Sequence, residues 1–385
     1  MRNSTVYGPA GTKTFRLSSK SILATKVLVD GKRKKKGWGS NMANIEKNLR
    51  SIYKPDGYTP SLAEKCLYYM ETKDLSVFTA EELEKLRIFI QTDQSGAEAL
   101  IVAYLTVAGQ YRELFKHKIK PHSYLGMHLF SYIWPDKMRE YGLMSGDSDF
   151  DIKAMCSRSI GELKQNKWWK PLGNLIKSTD DWPMDQRYYY LAKQTEHSSN
   201  YDVGANTFRM NVLEKSGGKV VISSEEAARF LDVKHGLFPE IRGYHRWVRR
   251  LAENNKIIYN LHGHPYTITH YEILDSHLKE IYAWIPQSTV GEITNIAYTR
   301  MYEYIRDNKK RWDLLANTHD SYLLQCPLSE ELECAAKAKQ LIEQRFKSPI
   351  DGAEFQMGSE TQSGFNWSPY KKGKNDLGLR EIVLP

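Results

Sequence analysis

Residues 86–105 read LRIFIQTDQSGAEALIVAYL, and this stretch decides how the centre of the fold is built. Its first half, residues 86–93, is a short apolar run that ends in the carboxylate of Asp93, a pattern typical of a buried strand. Its second half, residues 95–105, has helical character and follows almost without a connection. The sequence therefore predicts a strand that carries Asp93 at its end and leads directly into a helix.

A second carboxylate lies between two strand-like runs near the end of the chain. Residues 313–320 read DLLANTHD and residues 321–326 read SYLLQC. Two such runs predict a β-hairpin, here with the His319–Asp320 pair at its tip. Asp93 and Asp320 would then both stand at strand ends, where a sheet gives a side chain a rigid base.

Two carboxylates in this arrangement suit a pair of Mg²⁺ ions held a few ångströms apart by shared oxygen ligands. Nucleotidyl transfer uses such a pair, because one ion activates a primer hydroxyl and the other neutralises charge on the departing pyrophosphate. Taken singly, each aspartate is more often a turn former, since Asp is common in turns that follow strands.

A third segment carries a cation and two aromatic rings at helical spacing. Residues 187–204 read RYYYLAKQTEHSSNYDVG, so Lys193, His197 and Tyr201 share one face of a helix. Such a stripe could hold a triphosphate and pack against a sugar and a base. The alternative is an ordinary amphipathic helix with a basic end and a buried aromatic residue.

The segments between these motifs are predominantly helical. Residues 61–87 predict a helical region, in which Thr79 begins a capped helix. Residues 110–255 are mainly helical, and the long periodic segment over residues 225–252 is interrupted or bent at Pro239 and Gly243.

The C-terminal part completes the prediction of the fold class. A final helix is expected over residues 329–346, followed by an irregular tail that contains residues 365–367. The class is therefore α+β, with a small sheet that holds the acidic residues and a helical insertion between its halves.

Length and charge are compatible with more than one kind of protein. The 385 residues suffice for two or three subdomains, and the net charge of +9 points to an acidic partner such as nucleic acid as readily as to simple solubility. The basic cluster at residues 32–36, KRKKK, is expected to be a solvated loop or a contact to a phosphate backbone.

The sequence also gives expectations about the compartment. No apolar run approaches the length of a membrane span, and the N-terminus lacks the apolar core of a signal peptide. The cysteines show no CxxC pairing, which favours buried thiols in a reducing compartment. We expect the cytosol of a bacterium or of a phage-infected host.

Together the motifs resemble those of the family A DNA polymerases, the group of bacterial DNA polymerase I and many phage replicases. Residues 93–98 (DQSGAE) resemble motif A, DYSQIE, the helix around Lys193 resembles motif B, RxxxKxxxFxxxYG, and residues 318–321 (THDS) resemble motif C, VHDE. Other segments follow in the family's order: residues 15–19 (FRLSS) are similar to TGRLSS, residues 41–45 (NMANI) to NLQNI, residues 286–289 (PQST) to PMQGT and residues 364–367 (GFNW) to the terminal GxNW.

The resemblance implies a right-hand polymerase fold with a small antiparallel palm sheet and helical fingers. Residues 1–115 and 275–385 would form the palm, and residues 116–274 the fingers. The activity implied is template-directed addition of deoxynucleotides to a primer 3′-hydroxyl.

The resemblance also assigns roles to single residues. Asp93 and Asp320 would be catalytic and would bind two Mg²⁺ ions, with the Gln94 carbonyl completing the metal shell. Residues implied to contact the dNTP are Lys193 and His122 at the triphosphate, His197, Tyr201 beside the templating base, Gln94, and Glu98 as a gate against a ribose 2′-hydroxyl. Residues implied to contact primer–template DNA are Arg16, Asn41, Asn44, Gln287 and His319.

Three positions depart from the family's pattern. His197 replaces the usual Phe or Tyr, which leaves sugar discrimination open. Tyr189 stands in place of the motif B arginine, with Arg187 two positions earlier. Ser321 replaces the motif C glutamate and removes one acidic group beside the metals.

The sequence shows no segment that resembles a thumb or a proofreading exonuclease. The TGRLSS-like segment, which follows the thumb in the family, lies within the first twenty residues. A thumb grips duplex DNA through phosphate contacts, so its loss should weaken binding. The chain is therefore expected to be either a minimal palm and fingers or one half of a split polymerase. We favour the split, in which a second polypeptide supplies the thumb, the exonuclease or both.

Two other functions compete with this interpretation. A single-subunit RNA polymerase shares the palm, and its motif C also tends to read His-Asp-Ser, but Glu98 argues for deoxynucleotides because a gate excludes the 2′-hydroxyl sterically. A non-catalytic DNA-binding homologue is the third possibility. Such a protein has little reason to keep Asp93, Asp320 and Lys193 together.

Overall fold

The described part of the chain consists of a mostly helical body and a few short strands nearer the N-terminus. The computed structural model describes residues 47–145, 149–183 and 186–384, with side chains from residue 49, and the backbone of four earlier strands. These strands form two antiparallel pairs: β1 (Thr5–Gly8) with β2 (Ser18–Ser21), and β3 (Ala24–Val29) with β4 (Lys32–Gly37).

The basic cluster lies in β4, so the expectation of a loop there is wrong for the backbone. A strand is possible because pairing with β3 satisfies its peptide groups whatever its side chains are. Arg16, Asn41 and Asn44 lie outside the described residues.

From residue 63 onward the chain alternates between helices and short strands. In chain order, the elements are α1 (Ala63–Thr72), α2 (Ala80–Lys85), β5 (Arg87–Gln94), α3 (Ala97–Tyr104), α4 (Gln110–Lys116), α5 (Pro121–Leu129), α6 (Trp134–Glu140), α7 (Ile152–Cys156), α8 (Ile160–Gln165), α9 (Trp169–Ser178), α10 (Tyr188–Asn200), α11 (Ala205–Lys215), α12 (Ser224–Leu237), α13 (Glu240–Asn255), β6 (Ile257–Tyr259), β7 (Pro265–Thr267), α14 (Asp275–Asp307), β8 (Asp313–Asn317), β9 (Ser321–Pro327), α15 (Glu331–Ile342), β10 (Arg345–Lys347), β11 (Glu354–Gln356), β12 (Ser359–Gly364) and β13 (Arg380–Glu381). Short 3₁₀ helices include Lys47–Ile52 and Leu328–Glu330.

A five-stranded antiparallel sheet in the order β13-β12-β5-β9-β8 forms the centre of this body. The central strand β5 has Asp93 opposite Ser321 of β9 on one side and opposite Glu360 of β12 on the other. Helix α15 packs against β5 and β12, and α14 lies against α3 and β8. The sheet therefore fixes the Asp93 backbone from both sides.

The hairpin predicted near residue 320 is confirmed. Strands β8 and β9 pair antiparallel, and the connection between them consists of Thr318, His319 and Asp320. Every residue of β9 is buried, which explains the apolar run SYLLQC as a strand inside the sheet.

The expectation of an irregular tail after residue 346 is wrong. Residues 359–364 form β12, which pairs along β5 from Ser359–Gln94 to Gly364–Phe89. The polar sequence SETQSG gives little strand signal, but Thr361 and Thr92 hydroxyls lie 3.2 Å apart in the buried interior between the two strands. Pairing with a strand already in place overrides the weak local preference.

The predicted helical region over residues 61–87 is two helices separated by a loop. Helix α1 ends with Lys73 in the left-handed conformation at φ 59°. Helix α2 begins at Thr79 with the expected capping box, in which the Thr79 and Glu82 side chains each accept a hydrogen bond from the other's backbone N–H.

The mainly helical middle of the chain is confirmed, since α4 to α13 occupy it. The break in the periodic segment over residues 225–252 falls between α12 and α13, where Pro239 is the N-cap of the second helix, whereas α13 continues through Gly243. Among the described helices, none combines the length and the apolar character needed to cross a bilayer.

Candidate active site

The two predicted carboxylates lie on neighbouring strands of the central sheet. Asp93 is the next-to-last residue of β5, and Asp320 is in the tight connection between β8 and β9. The Gln94 N–H donates to the Asp320 carbonyl over 3.0 Å, which joins the two positions directly. The sheet thus brings together two aspartates that are far apart in sequence.

The connection that carries Asp320 is held in a constrained shape. His319 has φ 78°, in the left-handed region that non-glycine residues seldom adopt. Its N–H donates to the Asn317 side chain over 3.1 Å, and the Thr318 and Ser321 hydroxyls lie 2.5 Å apart across the turn. These bonds offset the cost of the backbone conformation.

Two clefts meet at the aspartates. The larger, about 560 Å³ in volume, is walled by α3, α5, α10 and the β8–β9 turn; it is lined by residues that include Asp93, Glu98, His122, Lys193, His197, His319 and Asp320. The smaller, about 440 Å³, opens on the other side and is lined by residues that include Arg50, Asp93, His319, Asp320 and Trp367. We call them the helical cleft and the sheet cleft.

Glu98 lines the helical cleft and is hydrogen-bonded to Tyr201, which is not among the residues that line it. The Tyr201 hydroxyl donates to Glu98 Oε2 over 2.6 Å, and His197 Nδ1 lies 3.7 Å from the same oxygen. Burial, reinforced by Glu98, raises the pKa of Tyr201, so the hydroxyl remains a donor. Glu98 is thereby held between two side chains of the α10 segment.

Basic side chains stand at the wall formed by α5 and α10. Lys193 is exposed on α10, and His122 lies in the first turn of α5. Burial lowers the pKa of His122 to about 4, with Glu196 opposing that effect and nearby lysines reinforcing it. In the free protein the wall therefore carries one exposed lysine and a neutral imidazole.

The side chains of Gln94 and Gln287 lie in different surroundings. The Gln94 amide is buried and donates to the Val290 carbonyl and the Thr294 hydroxyl of α14 over 3.0 and 2.7 Å. Only the Gln94 backbone is thus placed for a role at the aspartates. Gln287 is half-buried on α14 and is not among the residues that line either cleft.

No protein-family model and no curated protein matches the sequence. Among solved structures, the chain is similar to the POL domain of Pol1 from M. smegmatis in complex with DNA primer-template and dNTP, with a TM-score of 0.56 and 15% sequence identity. The chain has a polymerase-like fold. The match covers 94% of this chain and 47% of that chain, so the chain spans about half the length of this neighbour. At this identity the likeness concerns the fold alone, and it supports the family A type of fold that the motifs predict.

The donor set at the aspartates fits magnesium. Two carboxylates and a backbone carbonyl are hard oxygen ligands, and Mg²⁺ is commonly held by one or two carboxylates together with substrate phosphates and water. In the described part of the chain, no group of three or more acidic, His or Cys side chains forms a complete metal cage. Asp93 and Asp320 would thus hold the metal only together with groups brought by a substrate.

The positions that depart from the family motifs have clear structural surroundings. Tyr189 packs its ring edge against His122, with ring centroids 5.6 Å apart, and burial raises its pKa to about 12. Arg187 precedes α10 and donates to the Trp182 carbonyl over 3.0 Å, and it is not among the residues that line the helical cleft. Ser321 bonds with Thr318 and so closes the turn instead of adding charge.

Arg50 also lies at the site, although no pattern in the sequence marks it. Its guanidinium lies 4.4 Å from the centroid of the Trp367 ring, and it lines the sheet cleft with both aspartates. Burial lowers the pKa of Arg50, whereas the charges of Asp320 and Asp93 act in the opposite direction. It lies in a short 3₁₀ helix, whose sequence carries no motif that marks it.

Glu196 is the second residue that sequence reasoning missed. It lines the helical cleft and is only 3% exposed. The signal was present, because Glu196 is the one carboxylate inside the motif B helix and lies one turn after Lys193.

Proposed function

We propose that this chain is a template-directed DNA polymerase that adds deoxynucleotides to a primer 3′-hydroxyl. The observation that supports it is the meeting of Asp93, Asp320, Lys193 and Glu98 around one cleft. They come from four separate elements of a fold similar to a polymerase domain. A cation opposite a carboxylate pair is the arrangement that a triphosphate and its metal ions require, and it is not expected by chance.

In this proposal the central sheet with residues 1–115 and 275–385 is the palm, and residues 116–274 are the fingers. Primer–template DNA would lie across the palm, with Gln287 and His319 near its primer strand. Roles for Arg16, Asn41 and Asn44 remain predictions, since those residues are outside the described part of the chain.

Asp93, Asp320 and the Gln94 carbonyl would hold two Mg²⁺ ions. Bound there, magnesium supplies charge neutralisation for the attacking primer oxygen and for the departing pyrophosphate.

The protein's own side chains have distinct tasks around these ligands. Lys193 and His122 bind the triphosphate and orient its α-phosphorus towards the primer hydroxyl. Glu98, held by Tyr201, occupies the space that a ribose 2′-hydroxyl would need. His197, beside both residues, packs against the nucleotide sugar.

The proposed split organisation has less support. The chain spans about half of its structural neighbour, but no second polypeptide is supported by that likeness. A separate chain that supplies a thumb or an exonuclease stays a prediction, to be checked by co-purification from the native source.

Primer extension tests the proposal. The purified chain is given a primer–template and Mg²⁺ with either dNTPs or rNTPs, beside Asp320→Asn and the matched surface variant Asp307→Asn. We expect dNTP addition by the wild type and by Asp307→Asn, whose carboxylate is exposed and pairs with the neighbouring Arg306. We expect a loss of at least about a hundredfold in Asp320→Asn, because metal-assisted charge stabilisation is worth several kcal/mol.

Either of two results would overturn the proposal. One is equal activity in Asp320→Asn and wild type, and the other is no addition by the wild type at high protein and low salt, both alone and with extract of the native source added. Preferential addition of rNTPs would instead establish the RNA polymerase alternative.

A further inference from the structure

Glu196 is a carboxylate buried in the wall of the helical cleft, and the proposed reaction gives it no role. Its Oε1 accepts a hydrogen bond from Asn200 Nδ2 over 2.8 Å and another from the Tyr111 hydroxyl. Burying a charged carboxylate is costly unless donors and a cation compensate it. The buried Glu196 carboxylate therefore requires a nearby cation in addition to these two donors.

The compensating cation is Lys234 of α12. Its side chain is fully buried, with Nζ 3.8 Å from the Tyr111 ring centroid and 4.3 Å from that of Phe238. Burial lowers the pKa of Lys234 to about 8, against the opposing charge of Glu196. Burial also tends to raise the pKa of Glu196, but the charge of Lys234 and the Tyr111 bond oppose it, so the pKa is lowered and the carboxylate stays ionised.

The other oxygen of Glu196 faces the imidazole of His122. Glu196 Oε2 lies 3.7 Å from His122 Nδ1, and this nitrogen is buried without a hydrogen-bond partner among the described residues. The carboxylate and the imidazole thus stand just beyond hydrogen-bond distance, at the place where the cleft meets α5.

Burial and the charges around His122 act mainly against a proton on its imidazole in the free protein. Burial is the main cause of its low pKa, and Lys193 of α10, Lys234 of α12 and Lys120 before α5 add to it. Tyr189 contributes only a neutral ring edge. Glu196 is the one group in this set that favours a proton on the imidazole.

We propose that Glu196 holds His122 ready to take up a proton from solvent when a triphosphate enters the helical cleft. This inference rests on the proposed function, because it takes a triphosphate as the ligand. The phosphate charges neutralise Lys193, which lines the cleft and opposes the proton. The imidazolium then donates from Nδ1 to Glu196 and from Nε2 to a phosphate oxygen.

Binding of the triphosphate is therefore coupled to proton uptake and weakens as the pH rises above neutrality. Glu196 acts through His122 and is a positioning residue. Lys234 keeps it ionised so that it can accept the Nδ1 proton.

Calorimetry with magnesium tripolyphosphate tests the coupling without requiring polymerisation. The binding enthalpy at pH 7 is measured in two buffers of different ionisation enthalpy, which gives the number of protons taken up. A rise in the pKa of His122 from about 4 to 7 or above corresponds to at least roughly half a proton. We expect that uptake in the wild type and in the exposed control Glu253→Gln, and almost none in Glu196→Gln or His122→Asn.

The outcomes separate this inference from the polymerase proposal. No proton uptake by the wild type, or undiminished uptake in either Glu196→Gln or His122→Asn, overturns the inference even if primers are extended. Proton uptake without primer extension overturns the polymerase proposal alone. If Glu196→Gln does not fold, as judged by circular dichroism, the wild type and His122→Asn still decide the question.

Discussion

Replacing Tyr201 with phenylalanine removes a single oxygen atom, and we predict that it weakens the selection of deoxynucleotides. The Tyr201 hydroxyl donates to Glu98 Oε2 over 2.6 Å, and the tyrosine is only 5% exposed. The Glu98 carboxylate is thus held at the cleft by a short bond to a charged acceptor. Without this bond, the carboxylate can rotate away from the space that it occupies.

The size of the effect follows from the kind of bond. A hydrogen bond to a charged group contributes about 1.5–3 kcal/mol, and about 1.4 kcal/mol corresponds to a factor of ten. The population of the held carboxylate should therefore fall by about tenfold to a hundredfold. If the held carboxylate is the gate, the preference for dNTP over rNTP falls by up to the same factor.

The assay is single-nucleotide addition, with kcat/KM measured separately for a dNTP and the matching rNTP. Tyr190→Phe is the control, because Tyr190 lies on the same helix and its hydroxyl donates to the Val212 carbonyl over 3.3 Å, away from Glu98. The control should keep the wild-type preference. A Tyr201→Phe preference within twofold of wild type would show that Glu98 needs no help from Tyr201, and the reasoning would be wrong.

Three further predictions concern stability. Gly364→Ala should lower the free energy of unfolding by about 2 kcal/mol or more in a urea titration, because an added Cβ would lie 2.7 Å from the Gly378 backbone, which cannot yield easily; an unchanged midpoint would contradict this. Trp367→Phe should cost about 1–3 kcal/mol, since the indole N–H donates to Gln91 Oε1 over 2.6 Å and that bond cannot be replaced; thermal unfolding measures it, and a loss below experimental error would refute it. Burial lowers the pKa of His128 to about 4, below its unfolded value, so its contribution to stability is present above pH 6.5 and is lost as the pH falls towards 4; His128→Asn should lose less stability between pH 7 and pH 5 than the wild type, and equal losses would exclude this role.

The positions of the two aspartates could be predicted because their signals are local. The apolar run before Asp93 and the two runs around Asp320 each specify a strand within a few residues. The capping box at Thr79 is equally local, since both of its partners lie within one turn. These local predictions hold because the tertiary structure does not override the local preference of each segment.

The features that escaped prediction depend on distant parts of the chain. Strand β12 carries polar residues and becomes a strand only beside β5, more than 260 positions earlier in the sequence. The charges of Glu196 on α10 and Lys234 on α12 influence each other, and neither residue shows by its spacing that the other is near. Arg50 contacts the ring of Trp367, a residue that lies far along the chain, so its position could not be predicted locally.

The position of β12 has a consequence for synthesis on the ribosome. The central sheet needs β5, β9 and β12, and the last of these ends at Gly364 in a chain of 385 residues. Domains generally fold as units during translation, and pairings between distant segments form slowly. Helices α3 to α13 can therefore emerge and begin to pack while the strand of Asp93 still lacks both of its neighbours, β9 and β12. The strand gains its second neighbour only after residues 359–364 have been made, so a product released before residue 359 would retain both aspartates with β5 paired along one edge alone.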